Sequence, residues 1–235
     1  MQSFSTHIVM MDDCEAILTY VYARCREHGA LWFNYNFTPV FESHTSKDTF
    51  IWARDFPFEI QSLYMGHLRE VDPVPRLTFE LGPILTWTEA CDAMKADDAA
   101  MTFRQTLCDL EIDNWASFAL FGPRNRDGYV TMRFQNDPDL FEKGRLEEIH
   151  SMLLMGHLQI CKIIDEGIPP VSLSDREREV LEWMGRGKSA GDIATILDIS
   201  VETVRTYTKR IYEKLRTNDR VSATVRALKL GLVEL

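Results

Sequence analysis

No uncharged apolar run in this chain approaches the ~18 residues that a membrane span needs, and the start, MQSFSTHIVMMDDCE, lacks a basic stretch leading into a long apolar one. The expectation is therefore a cytoplasmic protein with no membrane partner. The five cysteines (Cys14, Cys25, Cys91, Cys108 and Cys161) are odd in number and include no C-x-x-C pair, which argues against both a disulfide framework and a zinc site. No G-x-S-x-G, H-E-x-x-H, Walker A or G-x-G-x-x-G sequence occurs, so an enzyme reading has no motif beneath it and no cofactor or metal is expected. Basic residues are also scarce, 26 against 36 acidic ones for a formal net charge of −10, which taken whole argues against a nucleic-acid partner.

That total conceals a division. Residues 166–172 read EGIPPVS, where a glycine and a Pro-Pro pair end any helix, because proline lacks an N–H and forces its predecessor out of the α region. Before residue 173 the chain carries 14 basic and 26 acidic side chains, and from there on 12 and 10. The expected organisation is an acidic domain over 1–165, a linker over 166–172 and a slightly basic domain over 173–235. No internal repeat or low-complexity stretch stands out.

In the first part, Asp12 or Asp13 is placed to cap a helix that Gly29 ends. Residues 31–37 (LWFNYNF) and 49–53 are rich in aromatic and β-branched side chains and read as strands, the first closed by Thr38-Pro39. A short helix over 58–67, a short strand over 85–87 and a helical stretch over 88–110 follow. Residues 115–121 and 129–134 flank a Gly-, Pro-, Asn- and Asp-bearing turn and read as a hairpin. Asp137-Pro138 then opens a long helix to about 164. This order predicts an α+β chain: an α/β/α sandwich around an antiparallel sheet, followed by an all-α four-helix domain. The sandwich holds four of the five tryptophans and all the phenylalanines, enough for a packed core or the wall of a small-molecule cavity.

In the second part four helices can be marked from caps alone. Ser174 begins a capping box with Glu177, Ser189 or Gly191 opens a second helix, Ser200 a third, and Asn218 or Asp219 a fourth that Gly231 ends. The second and third, joined by Asp198-Ile199-Ser200, form a helix-turn-helix whose third helix would lie in a DNA major groove. Arg205 and Lys209, four apart, project from the middle of that helix toward base edges beside Thr206. Lys188, Thr203, Arg210 and Lys214 are better placed for phosphates.

This segment resembles the DNA-binding domain of LuxR-type transcription regulators. It carries L-S-x-R-E-x-E-V-L-x-W at 173–183, G-K-S at 187–189, I-A-x-I-L at 193–197, I-S-x-x-T-V at 199–204, and K-L followed by N-x-R at 214–220. Such a domain follows several kinds of input domain, so the front part must be read separately. A phosphorylated receiver is disfavoured. Ile8-Val9-Met10-Met11-Asp12-Asp13 imitates its first strand and acidic pair, but Asp55 has no apolar strand leading to it, and the region is too long.

Phe56-Pro57-Phe58-Glu59-Ile60-Gln61-Ser62-Leu63-Tyr64, then Asp72-Pro73-Val74 and Thr86-Trp87, are instead similar to the autoinducer-binding domain of quorum-sensing LuxR-type proteins. The resemblance implies that Asp72 accepts an amide N–H of an N-acyl-homoserine lactone or related ligand, that Tyr64 donates to its acyl carbonyl, and that Trp87 belongs to the site. It also implies a homodimer on a palindromic site in double-stranded DNA. Three positions depart from the family pattern. Ile60 stands where a lactone-binding Trp is usual, Phe56 where Tyr is common, and Trp115-Ala116-Ser117 replaces a usual Gly. Ile60 and Trp115 thus predict an altered pocket around the ligand's head group, with Ser117 beside it. The alternative is a regulator needing no ligand, its aromatic interior being only core.

Overall fold

The computed structural model describes residues 3–37, 50–64, 68–95, 97–166 and 171–233. The chain divides into two compact units, Met1–Glu166 and Gly167–Leu235. Thr38-Pro39, most of the expected linker and the end of the expected helix over 58–67 lie outside the described residues.

The first unit opens with a short helix α1 (Phe4–Val9), too brief to show a helical period in the sequence. Asp13 caps α2 (Cys14–Glu27), its carboxylate accepting the Ala16 N–H at 2.7 Å. After β1 (Ala30–Phe37) and β2 (Phe50–Arg54) come α3 (Phe58–Leu63), α4 (Arg69–Val71) and α5 (Val74–Leu81). Thr86 ends β3 (Ile84–Thr86) and forms a capping box with Glu89, so Trp87 begins helix α6 (Trp87–Met94) rather than ending a strand. The single helix expected over 88–110 is two, because Asp97 accepts the N–H groups of Ala99 and Ala100 and starts α7 (Asp98–Asp109) afresh. The hairpin strands are β4 (Trp115–Leu120) and β5 (Gly128–Phe134). The last helix of this unit, α8 (Arg145–Glu166), begins later than expected. Asp137 caps only a 3-10 turn, Phe141 is extended, and Gly144 at φ +91° turns the chain before the helix starts.

The five strands form one antiparallel sheet in the order β2-β1-β5-β4-β3. Alternation along each strand gives its two faces different work. Phe33, Tyr35, Phe118, Val130, Met132 and Phe134 point to one face and are sealed by α1, α2 and α8 through Ile8, Ile17, Val21, Ile149 and Leu153. Each such side chain, almost fully buried, contributes roughly 2 kcal/mol. The α2–α8 contact is close: a Cβ at Gly156 would stand 2.8 Å from the Val21 Cγ2. On the other face Trp32, Leu85 and Trp115 pack with Val74, Leu77, Met94, Phe103 and Leu107 from α5, α6 and α7.

The second unit is all helix: α9 (Asp175–Gly185), α10 (Ala190–Leu197), α11 (Val201–Leu215) and α12 (Arg220–Lys229). Ser174, Ser189, Ser200 and Asp219 cap them, the first two in full capping boxes with Glu177 and Asp192. Val180, Leu181, Ile193, Val204, Ile211, Leu215, Ala223 and Ala227 close an apolar core.

Candidate functional site

On the α5–α7 face of the sheet lies a mostly apolar cavity with about 60 Å³ of free space. Phe56, Ile60 and Leu68 wall it from the α3–α4 side, Phe103, Leu107 and Ile112 from the α7 side, and Trp32 and Trp115 from the sheet. Its polar groups are few and ordered. Asp72 stands at the junction of α4 and α5 with its two oxygens differently employed. Oδ1 accepts the Val74 N–H at 2.8 Å at the start of α5, and Oδ2 accepts the Tyr64 hydroxyl at 2.8 Å. The Tyr64 hydroxyl lies 3.2 Å from that of Tyr129 on β5.

Enclosure of the Asp72 carboxyl raises its pKa to about 6, although the Val74 N–H and the Tyr64 hydroxyl both pull it down. Burial first, and then the Asp72 charge, pushes the Tyr64 phenol well above the ordinary range. Tyr64 therefore remains a donor at any working pH, while Asp72 is an acceptor that ionises just below neutrality. The arrangement offers one hydroxyl and one carboxylate to a ligand at the edge of an apolar space.

Five of the seven residues singled out from the sequence for this site line the cavity: Phe56, Ile60, Tyr64, Asp72 and Trp115. Trp87 and Ser117 stand behind it. The Trp87 ring packs on that of Trp115 with centroids 5.3 Å apart, and the Ser117 hydroxyl accepts from that of Thr78 at 2.9 Å. Trp32, Asn34, Leu68, Val74, Phe103, Leu107, Ile112, Tyr129 and Thr131 were missed. For those on strands the signal was there to find, since Trp32 and Asn34, Tyr129 and Thr131 are alternate residues that share the Trp115 face.

In the second unit α9 and α10 pack on α11, and Asp198 at φ 52° makes the tight turn between α10 and α11. Arg205, Thr206, Lys209 and Arg210 are exposed on α11, and Lys188 is exposed ahead of α10. Arg205 lies 3.3 Å from Glu202 and Lys209 3.9 Å from Glu213. These solvent-facing pairs are worth little and yield readily to a polyanion. Thr203 sits in the first turn of α11, its N–H donating to Ser200 Oγ at 3.0 Å. Lys214 is employed internally. Its ammonium donates to Glu177 Oε2 at 2.6 Å, and although burial opposes it, this contact with the Ser174 N–H holds the Glu177 carboxyl below its usual range.

Residues 171–227, which span α9, α10, α11 and most of α12, match the family model described as bacterial regulatory proteins, luxR family. The second unit is a luxR-family DNA-binding domain. This LuxR-type segment is 47% identical over 64 residues to the HTH-type quorum-sensing regulator RhlR of Pseudomonas aeruginosa, a match that covers 27% of each chain. A longer match, 28% identical over 174 residues and 70% of each chain, joins it to the transcriptional activator protein SolR of Ralstonia solanacearum. The fold of almost the whole chain is that of Escherichia coli SdiA, with TM-score 0.74, 20% identity, and 98% of this chain and 96% of that one covered. SdiA in complex with octanoyl-rac-glycerol matches with the same TM-score at 19% identity. LuxR-type proteins are regulators and not enzymes, in keeping with the lack of catalytic motifs. Among the described residues no helix is long and apolar enough to cross a membrane.

Proposed function

We propose that the chain is a cytoplasmic, homodimeric transcription regulator of the LuxR quorum-sensing type, whose first unit binds a small apolar signal and whose second unit reads a palindromic DNA site. One observation carries the ligand half of this reading: the Asp72 carboxylate, paired with Tyr64, is held at an apolar cavity where an unmet polar group costs roughly 1–3 kcal/mol. The preferred ligand is an acyl compound whose head group brings an N–H or O–H to Asp72 and an oxygen to Tyr64. N-acyl-homoserine lactones meet that description. Ile60 and Trp115 wall the space without offering a conventional lactone contact from residue 60, which favours a different head group. The free space is small beside the roughly 300–1,000 Å³ of occupied ligand pockets, so binding is expected to move α3 and α4 apart from the sheet.

Arg205 and Lys209, with Thr206, are assigned to base edges. Lys188, Thr203 and Arg210 are assigned to phosphates, with Lys214 contributing the charge that Glu177 leaves it. Val221, Val225 and Leu228 form an exposed apolar stripe on α12, which supports pairing of two such units on the two half-sites. No cofactor is assigned.

The test is the melting temperature of the full chain with N-octanoyl-homoserine lactone and with octanoyl-rac-glycerol, together with mass spectrometry of an extract of the purified protein. A rise of several degrees with at least one compound, abolished in Asp72→Leu, supports the reading. Specific DNA binding by protein that carries no small molecule and responds to neither compound would favour the ligand-independent regulator instead. The closed Tyr64–Asp72–Val74 network is the observation on that side.

A further inference from the structure

Asn34 lies on β1 inside the sheet and lines the cavity, and its residue surface is 8% exposed. Its Oδ1 is fully enclosed and finds no hydrogen-bond partner among the described residues. A buried carbonyl left unmet is costly, and a leucine of nearly the same shape would remove that cost. The strand register places it. Asn34 pairs with Thr131, and Thr131 in turn with Ser117, so these three form a row across the sheet one step from the row of Asn36 and Tyr129. Asn34 and Tyr129 are thus diagonal neighbours on adjacent strands, roughly 7–8 Å apart, which sets the distance from Asn34 to the position beside the Tyr64–Asp72 pair.

Resting on the ligand reading above, we propose that Asn34 is a second polar anchor of the pocket: its Oδ1 receives a hydroxyl or N–H of the signal, which therefore carries two hydrogen-bond donors. One donor serves Asp72 and the other Asn34, a few bonds away. The ligand class is an acyl amphiphile with a polyol or similarly two-donor head. A compound with a single donor leaves Asn34 unmet and binds more weakly, because a site built around a polar group discriminates against the analogue lacking its partner.

Two octanoyl esters test this with the full chain by titration calorimetry: octanoyl-rac-glycerol, with two free hydroxyls, and the octanoyl monoester of ethylene glycol, with one. Wild type is expected to bind the glycerol ester about tenfold more tightly, the equivalent of one net hydrogen bond. In Asn34→Leu that preference falls to about twofold or less, through weaker binding of the glycerol ester alone, and the ligand-free melting temperature stays level or rises. Equal binding of the two esters by wild type overturns the role of Asn34 and leaves the pocket reading standing. So does an unchanged preference in Asn34→Leu, or a drop of its ligand-free melting temperature by about 5 °C or more, which would make the amide part of the packed core. If neither ester nor N-octanoyl-homoserine lactone binds wild type, the pocket reading itself falls and this inference with it.

Discussion

The two units build their candidate sites in different ways, one facing solvent and the other enclosed. In the second, the core is apolar apart from the buried Glu177, and the candidate side chains Arg205, Thr206, Lys209 and Arg210 stand in solvent on one helix. In the first, the polar groups of the candidate site, Asn34, Tyr64, Asp72 and Tyr129, line an apolar space. The difference suits the partner proposed for each. A polyanion as large as DNA is met by exposed cations that need only share a face, whereas a small apolar signal is held by removing it from water and meeting its few polar atoms in a low dielectric. Within the first unit the same contrast recurs between the two faces of one sheet. The α2–α8 face is filled by aromatic and aliphatic side chains, while the α5–α7 face keeps a cavity and a row of polar residues.

The largest expected effect lies on the outer site. Arg205→Ala combined with Lys209→Ala should weaken binding to a cognate palindrome by 100-fold or more, at about 1–3 kcal/mol for each base contact. Ligand-induced stabilisation of the first unit should be untouched. Gel-shift titration and thermal melts measure the two separately, and unchanged operator affinity would remove these residues from base reading.

Next in size is a pH effect that sets the two sheet faces against each other. Asp72 titrates near 6 in the folded unit, above its ordinary value, so its contribution to stability is complete below about pH 4 and lost as pH rises through 6. On the other face burial depresses the His157 imidazole to about 4, against the opposing pull of the Arg126 carbonyl; its contribution is present above 6.5 and lost as pH falls through 4. Each amounts to about 3 kcal/mol, so in wild type the two nearly cancel across this window. Asp72→Asn leaves the His157 slope alone, and ligand-free denaturant melts should then show stability falling steadily from pH 6.5 to 4. A slope equal to that of wild type would mean that Asp72 titrates as an ordinary carboxylate.

The smallest change sharpens the contrast within the pocket wall. Ile60→Trp places an indole N–H among otherwise apolar neighbours and should raise affinity for N-octanoyl-homoserine lactone by about tenfold, one net hydrogen bond. Calorimetry checks it, and an unaltered affinity would show that residue 60 does not face the head group.

The sequence was most legible where structure is local. Ser174 with Glu177, Ser189 with Asp192, Ser200 and Asp219 mark all four helices of the second unit to within a residue or two, because a cap is a hydrogen bond between neighbours in the chain. The same logic located α2 at Asp12 or Asp13, of which Asp13 is the cap, and turn residues located the β4–β5 hairpin. It misplaced the start of α8, because a favourable cap at Asp137 serves a 3-10 turn that Gly144 then leaves behind. In the cavity, Tyr64 and Asp72 were accessible through resemblance, but Asn34, Tyr129 and Thr131 were not. They carry no motif and come together only through cross-strand register.

The amino-acid sequence by itself thus determined the four helices of the second unit, their caps, the cations on α11 and the charge difference between the two parts of the chain, since each can be read without knowing which distant segments meet. Tertiary structure alone decided which face of the sheet would be filled and which would hold a cavity, that Trp87 and Ser117 would stand behind the pocket wall, and that Lys214 would face Glu177. Those outcomes depend on which distant segments share a layer. The inward-facing polar groups acquire their strength, and Asp72 its raised pKa, only when that layer closes and excludes water.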